Sequence, residues 1–91
     1  MSYKVKYGAS FEKSFKKLDG SVQKLIAKYI KNYLDNCIDP RKQGKALVGN
    51  KKSLWRYKIG DYRLIVEIQD NELIIIAIDI GHRKDIYKFF P

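Results

Sequence analysis

The chain has 91 residues, 45% of them hydrophobic, and a formal charge of +9. That length fits one domain, residues 1–91, with no room for a second core, and the apolar content excludes a disordered chain. A single cysteine, Cys37, excludes an internal disulfide and fits a reducing, cytoplasmic compartment.

Met1 to Val5 lacks the apolar stretch of a signal peptide, and the longest apolar run, Leu73 to Ile78, is too short to span a membrane. The charge is unevenly spread. Residues 1–52 hold 13 Lys/Arg and 4 Asp/Glu, whereas residues 53–91 hold 6 of each. A one-sided field of this sign favours RNA, DNA or an acidic protein.

Tyr3 to Tyr7 alternates as a half-buried strand. Phe11, Phe15 and Leu18 follow at helical spacing, with Ser10 as the expected N-cap. Asp19-Gly20 breaks this helix. Ser21 is the expected cap of a second one, whose apolar stripe runs Val22, Leu25, Ile26, Tyr29, Ile30, Tyr33, Leu34 and which ends at Asp39-Pro40. Lys24, Lys28 and Lys31 lie off that stripe. Together the helices read as an αα-hairpin. Arg41 to Ser53 reads as a Lys- and Gly-rich loop pinned by Leu47 and Val48.

Strands follow at Leu54 to Ile59, Tyr62 to Ile68 and Leu73 to Ile80, joined by turns at Gly60-Asp61 and Asp70-Asn71. Gly81 to Pro91 forms a short terminal segment or helix. The expected architecture is α+β: an N-terminal strand and an αα-hairpin packed on one face of a small, mainly antiparallel twisted sheet.

A two-residue loop at Gly60-Asp61 fixes the hairpin register. It places Trp55, Tyr57, Ile59, Tyr62, Leu64, Val66 and Ile68 on one face as an apolar floor. Arg56, Lys58, Arg63, Ile65 and Glu67 share the other. Lys58 then lies directly opposite Arg63, a like-charge pair that repels. Either the two splay into water, or an anion relieves the repulsion; Glu67 could also neutralise Arg56 diagonally.

On the third strand, Leu73, Ile75 and Ala77 are expected to face the helices, and Ile74, Ile76, Ile78 and Ile80 the cationic side. Either an apolar patch stands open there for a partner peptide, or Phe89 and Phe90 fold back over it. His82, Arg83 and Tyr87 leave the end of this strand and are expected near the cationic face. An Arg there can stabilise a phosphorane dianion, and His or Tyr can move protons. One His and one Cys make no ordinary zinc site, and no glycine-rich phosphate loop is present.

Leu54-Trp55-Arg56-Tyr57-Lys58-Ile59-Gly60-Asp61-Tyr62-Arg63-Leu64, followed by Gly81-His82-Arg83 and Ile86-Tyr87, resembles the RelE/ParE superfamily of type II toxins over essentially the whole chain. The resemblance implies a cytoplasmic toxin neutralised by an acidic, RelB-like antitoxin, reaching operator DNA only through that complex. In the RelE-like branch it implies a metal-independent, cofactor-free mRNA endonuclease. The message's 2′-OH attacks the adjacent phosphate in the ribosomal A site, giving a cyclic phosphate and a free 5′-OH.

By position, Arg56, Lys58, Arg63, Arg83 and Tyr87 match the basic catalytic set, with His82 standing where a basic residue is usual. Lys13, Lys16, Lys17, Lys24, Lys28, Lys31, Lys51 and Lys52 would dock on ribosomal RNA. The alternatives are a ParE-like, non-enzymatic inhibitor of DNA gyrase, and an inactive toxin acting only as antitoxin-binding corepressor.

Overall fold

Alternation at the N-terminus gives strand β1, Lys4–Tyr7, which pairs parallel to the last strand rather than to its sequence neighbour. The computed structural model describes residues 1–47 and 54–90, so Val48, Lys51 and Lys52 lie outside the described residues. Helix α1, Ala9–Lys16, starts directly off β1. Its N-cap is Gly8 rather than Ser10, because Gly8 still donates to the Ala77 carbonyl at 2.9 Å as the chain leaves the sheet. A Cβ on Gly8 would lie 3.0 Å from that oxygen.

Helix α2, Gly20–Tyr29, begins with Asp19, not Ser21, at its N-cap; the Asp19 carbonyl accepts from Gln23 N–H at 2.9 Å. It continues as one wider π-helical stretch, Ile30–Leu34. It stops there, well before the expected Asp39-Pro40. Asn36 takes a left-handed conformation, φ 67°, which Asn tolerates better than most residues. The reversed chain is then pinned just ahead of β1, where Asn36 N–H donates to the Tyr3 carbonyl and Tyr3 N–H to that of Cys37, both at 2.8 Å.

Strand β2 is two residues, Lys45–Ala46, inside the segment expected to be loop. β3, Leu54–Ile59, and β4, Tyr62–Gln69, form the hairpin. The observed register is the one set by the two-residue turn, with Ile59 opposite Tyr62, Lys58 opposite Arg63 and Arg56 opposite Ile65. Gly60 meets the turn's demand with φ 58°. β5, Ile74–His82, follows a 3₁₀ turn at Asp70–Glu72, and α3 is a single turn, Arg83–Ile86. The sheet order is β1-β5-β4-β3-β2, antiparallel except for β1 with β5.

The apolar floor is as the alternation requires. Phe11, Ile26, Ile30 and Leu34 from the helices bury Tyr57, Ile59, Leu64, Val66, Ile68, Ile75 and Ala77. Leu25 and Tyr33, on the same predicted stripe, are instead exposed. Full burial of such side chains stabilises by about 1.5–3 kcal/mol each, so this face supplies most of the folding free energy.

The other face differs from expectation. A β-bulge at Ile65/Val66 pairs Ile65 with Asp79 but Val66 with Ala77 and leaves Ile78 over. Beyond it the alternation inverts, so Ile80 joins the main core instead of the cationic side. On that side Leu47, Ile65 and Ile86 bury one another, with Leu54, Ile78 and Phe90 packed around them. Phe90 therefore folds back and Phe89 does not, being 75% exposed. Ile74 and Ile76 remain half-buried. No helix among the described residues is long and apolar enough to cross a membrane.

Candidate functional site

The cationic face of the hairpin opens into a concavity of about 370 Å³ lined by Gly44, Lys45, Arg56, Lys58, Arg63 and Tyr87. Arg63 stands at its inner wall. Its side chain comes off β4, and the residue is only 6% exposed, the one buried charged residue among those described. A buried guanidinium needs acceptors, and here they are neutral oxygens. Nη1 donates to the carbonyls of Gly60, 3.0 Å, and Tyr62, 2.9 Å; Nε donates to the Tyr87 hydroxyl, 2.9 Å. No carboxylate lies within ion-pair distance among the described residues. The guanidinium thus keeps its full charge for an incoming anion.

Tyr87 follows directly on α3 and closes the concavity. The guanidinium carbons of Arg56 and Arg63 lie 5.3 and 5.9 Å from its ring centre, in cation–π range. The hydrogen bond from Arg63 holds its hydroxyl below the usual phenol range. Burial opposes this, and the charges of Arg56, Arg63 and Lys58 reinforce it. A phenol so placed can give or take a proton nearer neutral pH than an ordinary tyrosine. Glu67 does not neutralise Arg56; it accepts from Gln69 Nε2 at 2.9 Å instead.

Of the sequence-predicted residues, the fold brings Arg56, Lys58, Arg63 and Tyr87 together. It does not bring His82 to them. The bulge that turns Ile80 inward also turns His82, which pairs with Tyr62 across the sheet and sits edge-on to its ring, centroids 5.5 Å apart, on the helix-facing side. There its Nδ1 accepts from Lys84 N–H at 3.2 Å as the N-cap of α3. Arg83 lies at the hairpin tip, outside the concavity. Its N–H donates to the Asp61 carbonyl at 2.8 Å and its Nε is 4.0 Å from the Asp61 carboxylate. Lys13, Lys16, Lys17, Lys24, Lys28 and Lys31 are all exposed on α1 and α2 and their connections, away from the concavity.

Sequence reasoning missed Gly44 and Lys45. Gly44 takes φ 83°, and a Cβ there would fall 2.2 Å from the Arg56 carbonyl and 2.6 Å from Trp55 Nε1. Only glycine lets β2 approach β3 so closely. The signal was a glycine just before a lysine in a segment with no periodicity, too weak to read as strand. Trp55 fixes the same approach by donating from Nε1 to the Gln43 carbonyl at 2.7 Å.

A larger hollow, about 490 Å³, lies beyond the end of α2 and includes Tyr33, Cys37, Ile38 and Gln43 in its lining. It gathers no converging cations. Burial, with Asp39 adding to it, pushes the Cys37 thiol up, away from nucleophilic use. Among the described residues no three His, Cys, Asp or Glu side chains gather to hold a metal.

This fold, with its strand hairpin and helical layer, is shared by solved toxins of toxin–antitoxin pairs. A chain of the RelBE2 complex from Mycobacterium tuberculosis matches with TM-score 0.80 and 21% identity, covering 93% of this chain and 95% of that one. The free Escherichia coli toxin RelE, in a form with two arginines changed to alanine, matches at TM-score 0.74 and 22% identity over 97% and 93%. A chain of the Methanococcus jannaschii RelB–RelE complex matches at TM-score 0.65 and 26% identity over 93% and 98%. No curated protein matches. The family model for the ParE toxin of type II toxin–antitoxin systems matches residues 5–87. The chain belongs to that family, within the RelE/ParE superfamily.

Proposed function

We propose that this toxin is a metal-independent endoribonuclease that cuts mRNA on the ribosome, and that an acidic, RelB-like antitoxin neutralises it. The observation that carries the reading is the meeting of Arg56, Lys58, Arg63 and Tyr87 on one concavity, with the Tyr87 hydroxyl 2.9 Å from Arg63 Nε. In the proposed step the 2′-oxygen forms a bond to phosphorus and the P–O5′ bond breaks. The 2′-OH proton leaves to a base, and the departing 5′-oxygen takes one up. Arg63 stabilises the charge that builds on the non-bridging oxygens. Lys58 and Arg56 lower the cost of ionising the 2′-OH. Tyr87 moves the proton.

Arg83 remains in this reading as an arginine drawn by RNA from Asp61, an exposed pair with little to hold it. His82, facing the other side of the sheet, takes no part.

The test is purified toxin added to programmed ribosomes. The expected result is cleavage in the A site with a 2′,3′-cyclic phosphate end. The matching family model is that of the ParE toxin, and the second reading is accordingly ParE-like, a non-enzymatic inhibitor of DNA gyrase. Intact message alongside inhibited supercoiling would establish that reading and sink the nuclease.

A further inference from the structure

Four cations converge on the concavity, Lys45, Arg56, Lys58 and Arg63, and no acidic side chain lines it. Each phosphodiester of RNA carries one negative charge. The group is therefore larger than one phosphate needs.

The four are also spread out. Lys58 and Arg63 are direct cross-strand partners near the hairpin tip, beside Tyr87. Lys45 is the partner of Arg56, one strand further out, on the edge strand β2. Two strand spacings, about 10 Å, separate β2 from β4. Lys45 is exposed and makes no ion pair among the described residues. It is held in place by the backbone, through the Gly44 turn and the Trp55–Gln43 hydrogen bond.

We infer that Lys45 binds the backbone phosphate next to the scissile one, making the outer half of a two-phosphate RNA track whose inner half is Arg63. The choice of RNA rests on the reading of the site as a nuclease, but the track itself is a binding property and can be tested without cleavage. Lys45 is thus a positioning residue. It sets where along the message the reacting phosphate falls and takes no part in the bond changes.

The experiment measures equilibrium binding of a labelled single-stranded RNA of about ten nucleotides, a length within the range single-strand sites span. The RNA carries 2′-O-methyl sugars, which block the attacking oxygen so that it cannot be cut. Binding is followed across a series of salt concentrations for the wild type, Lys45→Ala, Lys45→Gln, Lys45→Arg and Lys4→Ala. Lys4 lies on β1, the opposite edge of the sheet.

In Lys45→Ala and Lys45→Gln the plot of log affinity against log salt is expected to become shallower by about 0.7, the loss of one contact to a single strand. Lys45→Arg keeps the wild-type slope, and so does Lys4→Ala. Lys45→Ala is also expected to raise the toxin concentration that half-saturates single-turnover cleavage, in step with its lost affinity, while Lys45→Arg does not. An unchanged slope in Lys45→Ala, an equal loss in Lys4→Ala, or no RNA binding by the wild type would overturn the inference. RNA binding that depends on Lys45 in a protein that cuts no message would sink the nuclease reading and leave the track standing.

Discussion

At the scale of single residues the site turns on one buried guanidinium. Arg63 is satisfied by two carbonyls and a phenol, all neutral, so its charge is not cancelled within the site. Arg63→Ala is expected to slow single-turnover cleavage by about a hundredfold or more, the usual loss when a transition-state donor is removed. A rate near wild type would remove Arg63 from the mechanism. Tyr87 gives a pH test. Because Arg63 lowers the phenol's pKa, ionised Tyr87 is populated at lower pH than in an ordinary tyrosine. If Tyr87 is the base, the rate rises with pH until that lowered value is passed, then levels. Tyr87→Phe should remove this limb from the profile. The same limb in the variant and the wild type would leave Tyr87 with packing only. Arg63 and Lys58 were legible as a pair because a two-residue turn leaves no choice of register. The Tyr87 contact was not, since nothing in the spacing shows how one turn of helix aims the side chain that follows it.

At the scale of elements, the bulge decides which residues reach the site. Even-numbered β5 residues up to Ile78 face the cationic side, but Ile80 and His82, beyond the extra residue, face the helices. Unbroken alternation therefore read the first part of β5 correctly and the last part on the wrong face. A bulge leaves no clear mark in an isoleucine run whose faces are both apolar. β2 escaped the reading for a different reason, being two residues long and placed by a glycine. Gly44→Ala is strained by its φ and blocked by the Arg56 carbonyl. It should destabilise by about 1 kcal/mol or more in chemical denaturation, and weaken RNA binding as Lys45→Ala does. Wild-type stability and binding together would show that β2 does not depend on that glycine. A second element-level device ties the ends of the sheet. Arg41 donates twice to Asp70, both at 3.0 Å, and Tyr3 donates to it at 2.6 Å. The hydrogen bond from Arg41, then that from Tyr3, lowers the Asp70 pKa. A carboxyl lowered in the folded state adds stability that is full above its unfolded value, about 3.9, and lost as pH falls through the folded one. Asp70→Asn should flatten the fall in stability below about pH 4 measured by melting against pH; an equally steep fall would mean the clip is too exposed to matter.

At the scale of the whole molecule, two charge systems sit on different surfaces. The helices carry exposed lysines, whereas the concavity's cations come from the sheet. Lys28→Ala is expected to weaken ribosome binding and make its salt dependence shallower by about 0.7 to 0.9, with the saturated cleavage rate unchanged. A slower saturated rate would mean the two surfaces are not separate. There are likewise two cores. The large one joins the helices to the sheet; the small one is Leu47, Ile65 and Ile86 with their neighbours. Gly81 makes room for the small one, since a Cβ there would come 3.3 Å from Ile86 Cδ1. Ile86→Ala should cost about 2 kcal/mol by the cavity it leaves. Ile86 and Tyr87 are consecutive, so the plug of the small core and the wall of the site are one piece of chain. That piece is expected to detach while the large core stays folded, because local openings cost less than global ones. The toxin should therefore have two melting points, and the lower belongs to its activity. On slow heating, cleavage is expected to disappear, and return on cooling, at temperatures where the helical signal has not yet moved.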